Sequence, residues 1–570
     1  MIEKLSTLWP EVALLIGATL TMIFGVSPSL AVRRLCAPIA GAALTIAGVL
    51  AFTGQHTSVS LTPNLSTYGK VIAAGVGLLL LLLVVGLPDR AYEARLARSV
   101  SRSGAFDALR NTRGEFYAFF LFSIAGLMLC ASADDLVWLF LALELVSLPT
   151  YVMVTMSTPH NRSMEAGVKY FFLGAMGAAT FLYGFALIYG ATGTTYLPKI
   201  AELLQSQMAS GGLSGLAVAG LVLSIIGICF KIAAVPMHFY TADVYQGAHS
   251  AVTAFLAFVP KTAGFFALIL LLSLVGWSST DATSSGLPQP LHTILWIIAA
   301  LTMTVGNVLA VLQTSVKRIF AYSSIAHSGY MLVGLIAGPG PSLAEGGAPL
   351  QSSGLAAVLF YLLAYGVTNV AAFAVLSSLE KSGKGAGATA SVAGDPDGEP
   401  AEVDSISDLR GLCSTSPLLG WTMVIACVGL LGLPPLLGFF SKMPLLTSGV
   451  RAGEYGLVVI LVLNSAIAAF YYLRIAGSAL LESPDLSGLS TVRPVGVATR
   501  PLAGLLAAAC VVGLSFYPVM DAARWGGKFV GVEKAPSQQP VKAEPAAQAA
   551  SSALDGGHTA SSQSSESAVK

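Results

Sequence analysis

Charge is what this sequence has least of. Its 570 residues include 30 Lys and Arg and 29 Asp and Glu, 10% in all, where an ordinary soluble domain carries about a quarter. A formal net charge of +1 removes any electrostatic case for nucleic acid as a partner. Cysteine is equally uninformative: Cys36, Cys130, Cys229, Cys413, Cys427 and Cys510 are scattered, with no C-x-x-C spacing. Zinc, iron–sulfur and disulfide frameworks need clustered or paired thiols, so these read as small buried hydrophobes. No Gly-rich phosphate loop stands between a strand and a helix, which argues against a nucleotide site. What the chain does have is apolar residues, 55% of the total, with a mean hydropathy of +0.76. They recur in runs of roughly 20, the length a helix needs to cross a bilayer. The expectation is one all-α polytopic membrane domain rather than several soluble cores, with many of the 59 glycines serving close helix packing in lipid.

Fourteen apolar runs are centred near Leu15, Ile46, Leu79, Phe122, Leu143, Ala178, Ile225, Ala263, Ala300, Ile325, Leu363, Val424, Ala468 and Ala508. The first has no basic segment before it and no small-residue cleavage site, so it reads as a span and not a signal peptide. The loops after odd-numbered runs hold seventeen Lys and Arg, Arg33, Arg162, Lys317, Arg318 and Arg500 among them. The opposite side, from the N-terminus to run 13, holds only Lys4, Lys70, Lys199 and Arg451. The positive-inside rule then places both termini away from the cytoplasm. Residues 380–408 are rich in Gly, Ala and Asp and read as a flexible loop; 521–570, rich in Ala and Ser, read as a disordered tail. Leu197 to Met208 reads as either a short interfacial helix or a loop.

Few ionisable groups fall well inside the runs: Glu144, Lys231, Lys261, Lys442 and Arg474, with His238 and His327 nearby. Each charge at mid-bilayer costs roughly 2.5–3.5 kcal/mol on insertion scales, so several together call for pairing or function. Glu144 lies about ten residues into "DDLVWLFLALELVSLPTYVMV" and suits a counter-charge to a lysine on another span. Lys231 precedes Pro236 by five residues, Lys261 follows Pro260, and Lys442 follows "GLPPLLGFF". A proline frees backbone carbonyls that lipid cannot satisfy, so prolines beside lysines indicate a hydrated interior. A buried lysine can exchange its proton; an arginine cannot. Snorkelling to the interface is the other reading, fitting Lys442 better than Lys231 or Lys261. His238 either shuttles protons or hydrogen-bonds a freed carbonyl. His327 and Arg474 read as structural. The breaks in "VPMHFYTADVY" and "LPPLLGFFSKM" also suggest an internal repeat of the kind transporters use to build ion sites.

The stretches "FKIAAVPMHFYTADVYQGAHSAVTAFLAFVPKTAGF", "QTSVKRIFAYSSIAHSGYMLVG", "DLVWLFLALELVSLPTYV" and "GLPPLLGFFSK" resemble the antiporter-like membrane subunits of respiratory complex I. The resemblance extends to about Tyr517. Lysine at 442, Glu11 in "LWPEVALLIGATL", and no long lateral helix after the last run make the chain most similar to the subunit N branch of bacterial NADH–quinone oxidoreductase. It departs from the family pattern at Tyr240, Ala242, Gln246, His249 and Ser250, which puts the geometry of that loop in doubt more than the lysines.

The resemblance implies about 14 transmembrane helices with two inverted five-helix repeats, each containing a broken helix. The corresponding expected divisions are 1–112 for helices 1–3 and a basic loop, 113–280 and 281–484 for the repeats, 485–520 for the last helix, and the tail beyond. It also implies proton translocation coupled to electron transfer from NADH to quinone. Glu144 and Lys231 would be the coupled pair, Lys261 the central relay, and Lys442 the exit-side group. No cofactor is expected in this chain, while NADH, FMN, iron–sulfur clusters and quinone would be handled by other subunits. Its partners would be antiporter-like and small membrane-arm subunits in the bacterial inner membrane. A subunit of a Mrp-type cation/proton antiporter, of a membrane-bound hydrogenase or of an F420-type dehydrogenase is the alternative, and a purely scaffolding role another.

Overall fold

A computed structural model describes residues 7–27, 29–54, 63–87, 113–158, 161–277, 286–339, 353–382, 401–484, 491–494 and 497–516. All of these belong to one compact unit spanning Met1–Gly531. The tail expected beyond 521 lies outside the described residues.

The architecture is all-α. Helices α1 (Trp9–Gly25), α2 (Cys36–Thr53) and α3 (Pro63–Val84) come first. There follow α4 (Arg113–Ala131), α5 (Leu136–Met156), α6 (Asn161–Thr192), the short α7 (Leu197–Ala209), α8 (Gly215–Lys231), α9 (Thr241–Gly247) and α10 (Ser250–Val275). The second part contains α11 (Gln289–Val311), α12 (Val316–Ala337), α13 (Gly354–Ser377), α14 (Pro417–Leu431), α15 (Leu437–Arg451), α16 (Tyr455–Leu481) and α17 (Thr499–Phe516). Ten of the described helices are long and apolar enough to cross a membrane; α1, α8, α14 and α17 are shorter and apolar. Each of the fourteen runs read in the sequence falls in one of these helices. The ambiguous segment at Leu197 is helical.

Burial divides the helices into two layers. Every residue of α10 is buried, as is nearly all of α12 and α13. Around them, α2, α6 and α16 turn large apolar side chains outward, including Phe52, Phe172 and Leu463. In water such a surface would be untenable, whereas in lipid it is the expected exterior. The central helices are apolar all round because protein surrounds them.

Two breaks interrupt the bundle. Between α8 and α9 the chain leaves helical geometry across Ile232–Tyr240, and between α14 and α15 across Gly432–Leu436. Pro236 and the Pro434–Pro435 pair lie in them, each break with one cis Xaa–Pro bond. The ends of the loop expected to be flexible are ordered: β1 (Leu379–Ser382) pairs antiparallel with β2 (Ala401–Glu402) and with β3 (Thr491–Pro494). Four and two residues of strand are too short for the sequence pattern to register. Residues 383–400 lie outside the described set.

Candidate functional site

The site begins with the packing of α8 on α6, an interface built on glycine. A Cβ at Gly184 would run into the backbone of Gly220 and Ser224, and one at Gly227 into the backbone of Phe181. Small residues let the two helices approach closely without a hydrophobic driving force. The approach delivers Lys231, the last residue of α8, to the bundle interior. Its Nζ lies 3.0 Å from Glu144 Oε1 on α5 and donates to Ser147 Oγ one turn further along that helix. The Phe181 ring lies beneath the ammonium, 5.6 Å away. The lysine side chain is 2% exposed and the glutamate 18%. Residues 87 apart in sequence therefore form the buried pair that their cost in lipid suggests.

Lys261 occupies the middle of α10 and has no carboxylate partner among the described residues. Its Nζ donates to the Ser324 carbonyl and, at 2.6 Å, to Ser324 Oγ on α12, with the Tyr365 ring 5.0 Å away. A cavity just large enough for about one water molecule separates it from Lys231. Both lysines line that cavity, together with Tyr240, Thr241, Tyr245 and Pro260. Thr241 Oγ1 is buried there with no hydrogen-bond partner among the described residues. Pro260, inside α10, withholds a backbone donor at the turn that carries Lys261.

Lys442, on the first turns of α15, is buried and does not snorkel. It donates to the carbonyls of Leu430 (3.3 Å) and Leu431 (2.7 Å), left open by the end of α14, and sits 5.1 Å from the Tyr330 ring. Each of the three lysines thus has an aromatic face as a neighbour, which favours the cationic form; at Lys261 and Lys442 no counter-ion among the described residues adds to it.

His327 lies nearer the lysine series than the sequence suggests. On α12, one turn beyond Ser324, its ring is 5.0 Å from the Tyr365 ring that neighbours Lys261 and 5.4 Å from the Tyr330 ring that neighbours Lys442. Its two ring nitrogens meet the hydroxyls of Tyr361 and Tyr472 (2.9 Å to the latter), and Tyr472 continues to Ser323. Tyr330, under Lys442, belongs to a second buried network with Asn307, which also bonds Tyr471 and Asn464.

His238 is not brought to the lysines by any contact among the described residues. It sits in the first break beside Phe239, ring centroids 4.6 Å apart, with Nδ1 buried and unpartnered. Arg474 donates to the Gln313 carbonyl, and its guanidinium lies 5.6 Å from the Phe470 ring. Glu11 forms a second buried ion pair with Lys70, 2.8 Å apart, away from the lysine series. Ser147, Ser324 and Thr241 were not legible as site residues, since a serine or threonine in an apolar helix carries no cost that marks it. Among the described residues no three His, Cys, Asp or Glu side chains gather as a metal site.

Comparison with known proteins agrees with this arrangement. The family described as NADH:quinone oxidoreductase/Mrp antiporter, transmembrane, matches residues 133–468. The chain is 37% identical over 479 residues to NADH-quinone oxidoreductase subunit N of Trichlorobacter lovleyi, covering 83% of this chain and 86% of that one. It is 41% identical over 379 residues to the subunit N of Myxococcus xanthus, covering 64% and 68%. Among solved structures, a chain of respiratory complex I from Thermus thermophilus superposes with a TM-score of 0.66 at 30% identity, over 89% of this chain and 97% of that one. A chain of the Mrp complex from Dietzia sp. gives a TM-score of 0.69 at 19% identity, over 93% and 97%, a likeness of fold alone. The chain belongs to the NADH:quinone oxidoreductase/Mrp antiporter transmembrane family, and within it to the NADH-quinone oxidoreductase subunit N group.

Proposed function

We propose that this chain is a proton-translocating membrane subunit of an NADH:quinone oxidoreductase, with Glu144, Lys231, Lys261 and Lys442 as its proton-carrying groups. The observation that carries the reading is the buried series itself. Glu144 pairs with Lys231; the water-sized cavity leads to Lys261; Ser324 and the tyrosine-flanked His327 lead on towards Lys442. A pair such as Glu144–Lys231 stores energy in its geometry: when the partners separate, a charge is left in a medium that disfavours it. Moving a proton against 100 mV needs roughly 2.3 kcal/mol, within the range such a pair can supply.

In this reading redox work elsewhere in the complex alters the Glu144–Lys231 pair, and the proton leaves through Lys261 and Lys442. His327 joins the relay, and His238 has a local role in the first break. Helices α4–α10 and α11–α16 form the two functional halves. The basic loops face the cytoplasm and both termini face the other side. Cofactor chemistry belongs to other subunits, and the partners are neighbouring membrane-arm subunits.

The test is a mild-detergent pull-down of the tagged chain, with the eluate assayed for NADH:quinone reductase activity. Redox activity and soluble redox subunits in the eluate support the reading. Recovery of membrane subunits alone, without redox activity, sinks it in favour of the Mrp-type antiporter, for which the shared fold is the supporting observation.

A further inference from the structure

A second charged cluster lies at the ends of α10 and α12 that carry the basic residues, and its centre comes from the loop between α13 and α14. Glu402, in β2, accepts four hydrogen bonds from two helices. The Ser250 backbone N–H and hydroxyl donate to it, each at 3.2 Å, from the start of α10. His249 Nε2 lies 3.0 Å away, and Lys317 Nζ reaches it from the first turn of α12. The imidazole is oriented: the Ala251 N–H donates to Nδ1 at 3.1 Å, capping α10, so Nε2 carries the hydrogen given to Glu402. Lys317 also donates to the Ala248 carbonyl at 3.0 Å.

The neighbouring residues extend the stitching. The Val316 N–H donates to the Asp404 carbonyl, and the Asp404 carboxylate accepts from Ser315 and from Gln246 of α9. Residues 402–406 thus fasten α9, α10 and α12 to one another at a single level.

Beneath Glu402 the interior is polar. Thr253 Oγ1 bonds the carbonyls of His249 and Tyr245, the Tyr245 hydroxyl meets Ser324 Oγ at 3.3 Å, and Ser324 holds Lys261. Lys261 lies eleven residues along α10 from Ser250, about 16 Å deep. Three hydroxyls, those of Thr253, Tyr245 and Ser324, are thus spaced between the level of Glu402 and the central lysine, the last two bonded to each other, and make up a hydroxyl file between the two helices that Glu402 joins.

We propose that Glu402 is a positioning residue for Lys261: its carboxylate clamps the basic-side ends of α10 and α12 together and closes the hydroxyl file beneath it. With four donors, one of them the Lys317 ammonium, the carboxylate is a fixed anion that closes the file and does not carry a proton along it. The inference rests on the relay reading given above, in which Lys261 exchanges protons. Loss of the carboxylate leaves His249 without its acceptor and Lys317 with the Ala248 carbonyl alone, loosens α10 against α12 at this end, and opens the file to water.

The test uses the intact complex in sealed membrane vesicles, comparing wild type with Glu402→Gln, Glu402→Asp, Lys261→Ala and the Glu402→Gln/Lys261→Ala double variant. Passive proton leak is followed after an imposed pH step, and acidification is followed during NADH oxidation. Hydrogen bonds to a charged group hold a closed state by roughly a tenfold factor or more. Glu402→Gln is therefore expected to raise the leak about tenfold, Glu402→Asp to restore part of the seal, and Lys261→Ala to abolish the leak in the double variant. A wild-type leak in Glu402→Gln overturns the proposal, as does a leak that persists without Lys261, which a general loosening of the fold would produce. If Glu402→Gln fails to assemble, Ser250→Ala removes the hydroxyl donor and is judged by the same criteria. Full pumping by Lys261→Ala alone would instead overturn the relay reading. Loss of pumping there, beside wild-type leak in Glu402→Gln, would overturn only the clamp.

Discussion

Replacing Glu144 with alanine isolates the step on which the relay depends. The carboxylate lies 3.0 Å from Lys231 Nζ, and the ammonium's other neighbours among the described residues include one hydroxyl and one ring but no second carboxylate. Removing one partner of a buried ion pair costs about 3–5 kcal/mol because the survivor is left uncompensated. Glu144 is partly exposed, so the lower end, about 3 kcal/mol, is the appropriate figure. At 1.4 kcal/mol per factor of ten, the charged state of Lys231 becomes roughly a hundredfold harder to populate. That penalty exceeds the roughly 2.3 kcal/mol needed to move one charge against 100 mV. Membrane vesicles bearing Glu144→Ala should oxidise NADH normally with a hydrophilic acceptor, which bypasses the membrane arm. NADH:quinone reductase activity should fall by about tenfold or more, and vesicle acidification with it. Glu144→Gln, isosteric but neutral, should behave like alanine, and Glu144→Asp should recover part of the activity. Wild-type quinone reduction and pumping in Glu144→Ala would refute the reasoning.

Three further outcomes follow from other parts of the structure. Lys442→Arg keeps a cation able to bond the Leu430 and Leu431 carbonyls but cannot release a proton; the complex should assemble and fail to pump, whereas normal pumping would reduce Lys442 to a helix-end cap. Gly184→Val drives a side chain into the α8 backbone; overpacking of this kind costs about 1–3 kcal/mol, and an unchanged melting temperature of the purified complex would contradict the packing account. The Glu402 cluster should loosen in acid. Burial pushes the His249 ring below its ordinary 6.5 against the pull of Glu402, so its contribution is full above that value and is lost as the pH falls through the folded one. Burial alone would raise Glu402, but His249 and Lys317 outweigh it and hold the carboxyl well below its ordinary 4.5; its contribution is full above 4.5 and is lost as the pH falls through the folded value. Hydrogen exchange of residues 401–409, corrected for intrinsic rates, should therefore speed up between pH 7 and pH 5, and flat protection would count against the clamp.

What the sequence reveals and what it hides divide along a physical line. Glu144, Lys231, Lys261 and Lys442 stand out because a charge in an apolar run is expensive, and the prolines beside them mark the breaks. The pairing of Glu144 with Lys231 follows from their opposite signs, although nothing in the sequence gives the 3.0 Å separation. Ser324 and Ser147 are invisible by the same criterion, since a hydroxyl satisfied within its own helix costs little. His327 reads as structural because its surroundings depend on position: only the packing of α12 against α10 and α15 places it near two lysines. Glu402 is hidden more thoroughly, at the end of a Gly- and Ala-rich loop whose composition suggests mobility. Its burial depends on donors 85 to 153 residues away, and composition cannot report a contact of that range.

The gap between Lys231 and Lys261 has a consequence for selectivity. An alkali ion crossing it would have to shed a hydration shell of several waters, and a space for about one, walled by two ammonium groups, tyrosines, a threonine and a proline, has no carboxylate among its lining residues to offset the charge. A proton needs no such room, because it passes from donor to acceptor through a single water that turns in place. Under the relay reading, a junction of this size suits the hand-over of a proton from group to group rather than the passage of a hydrated ion.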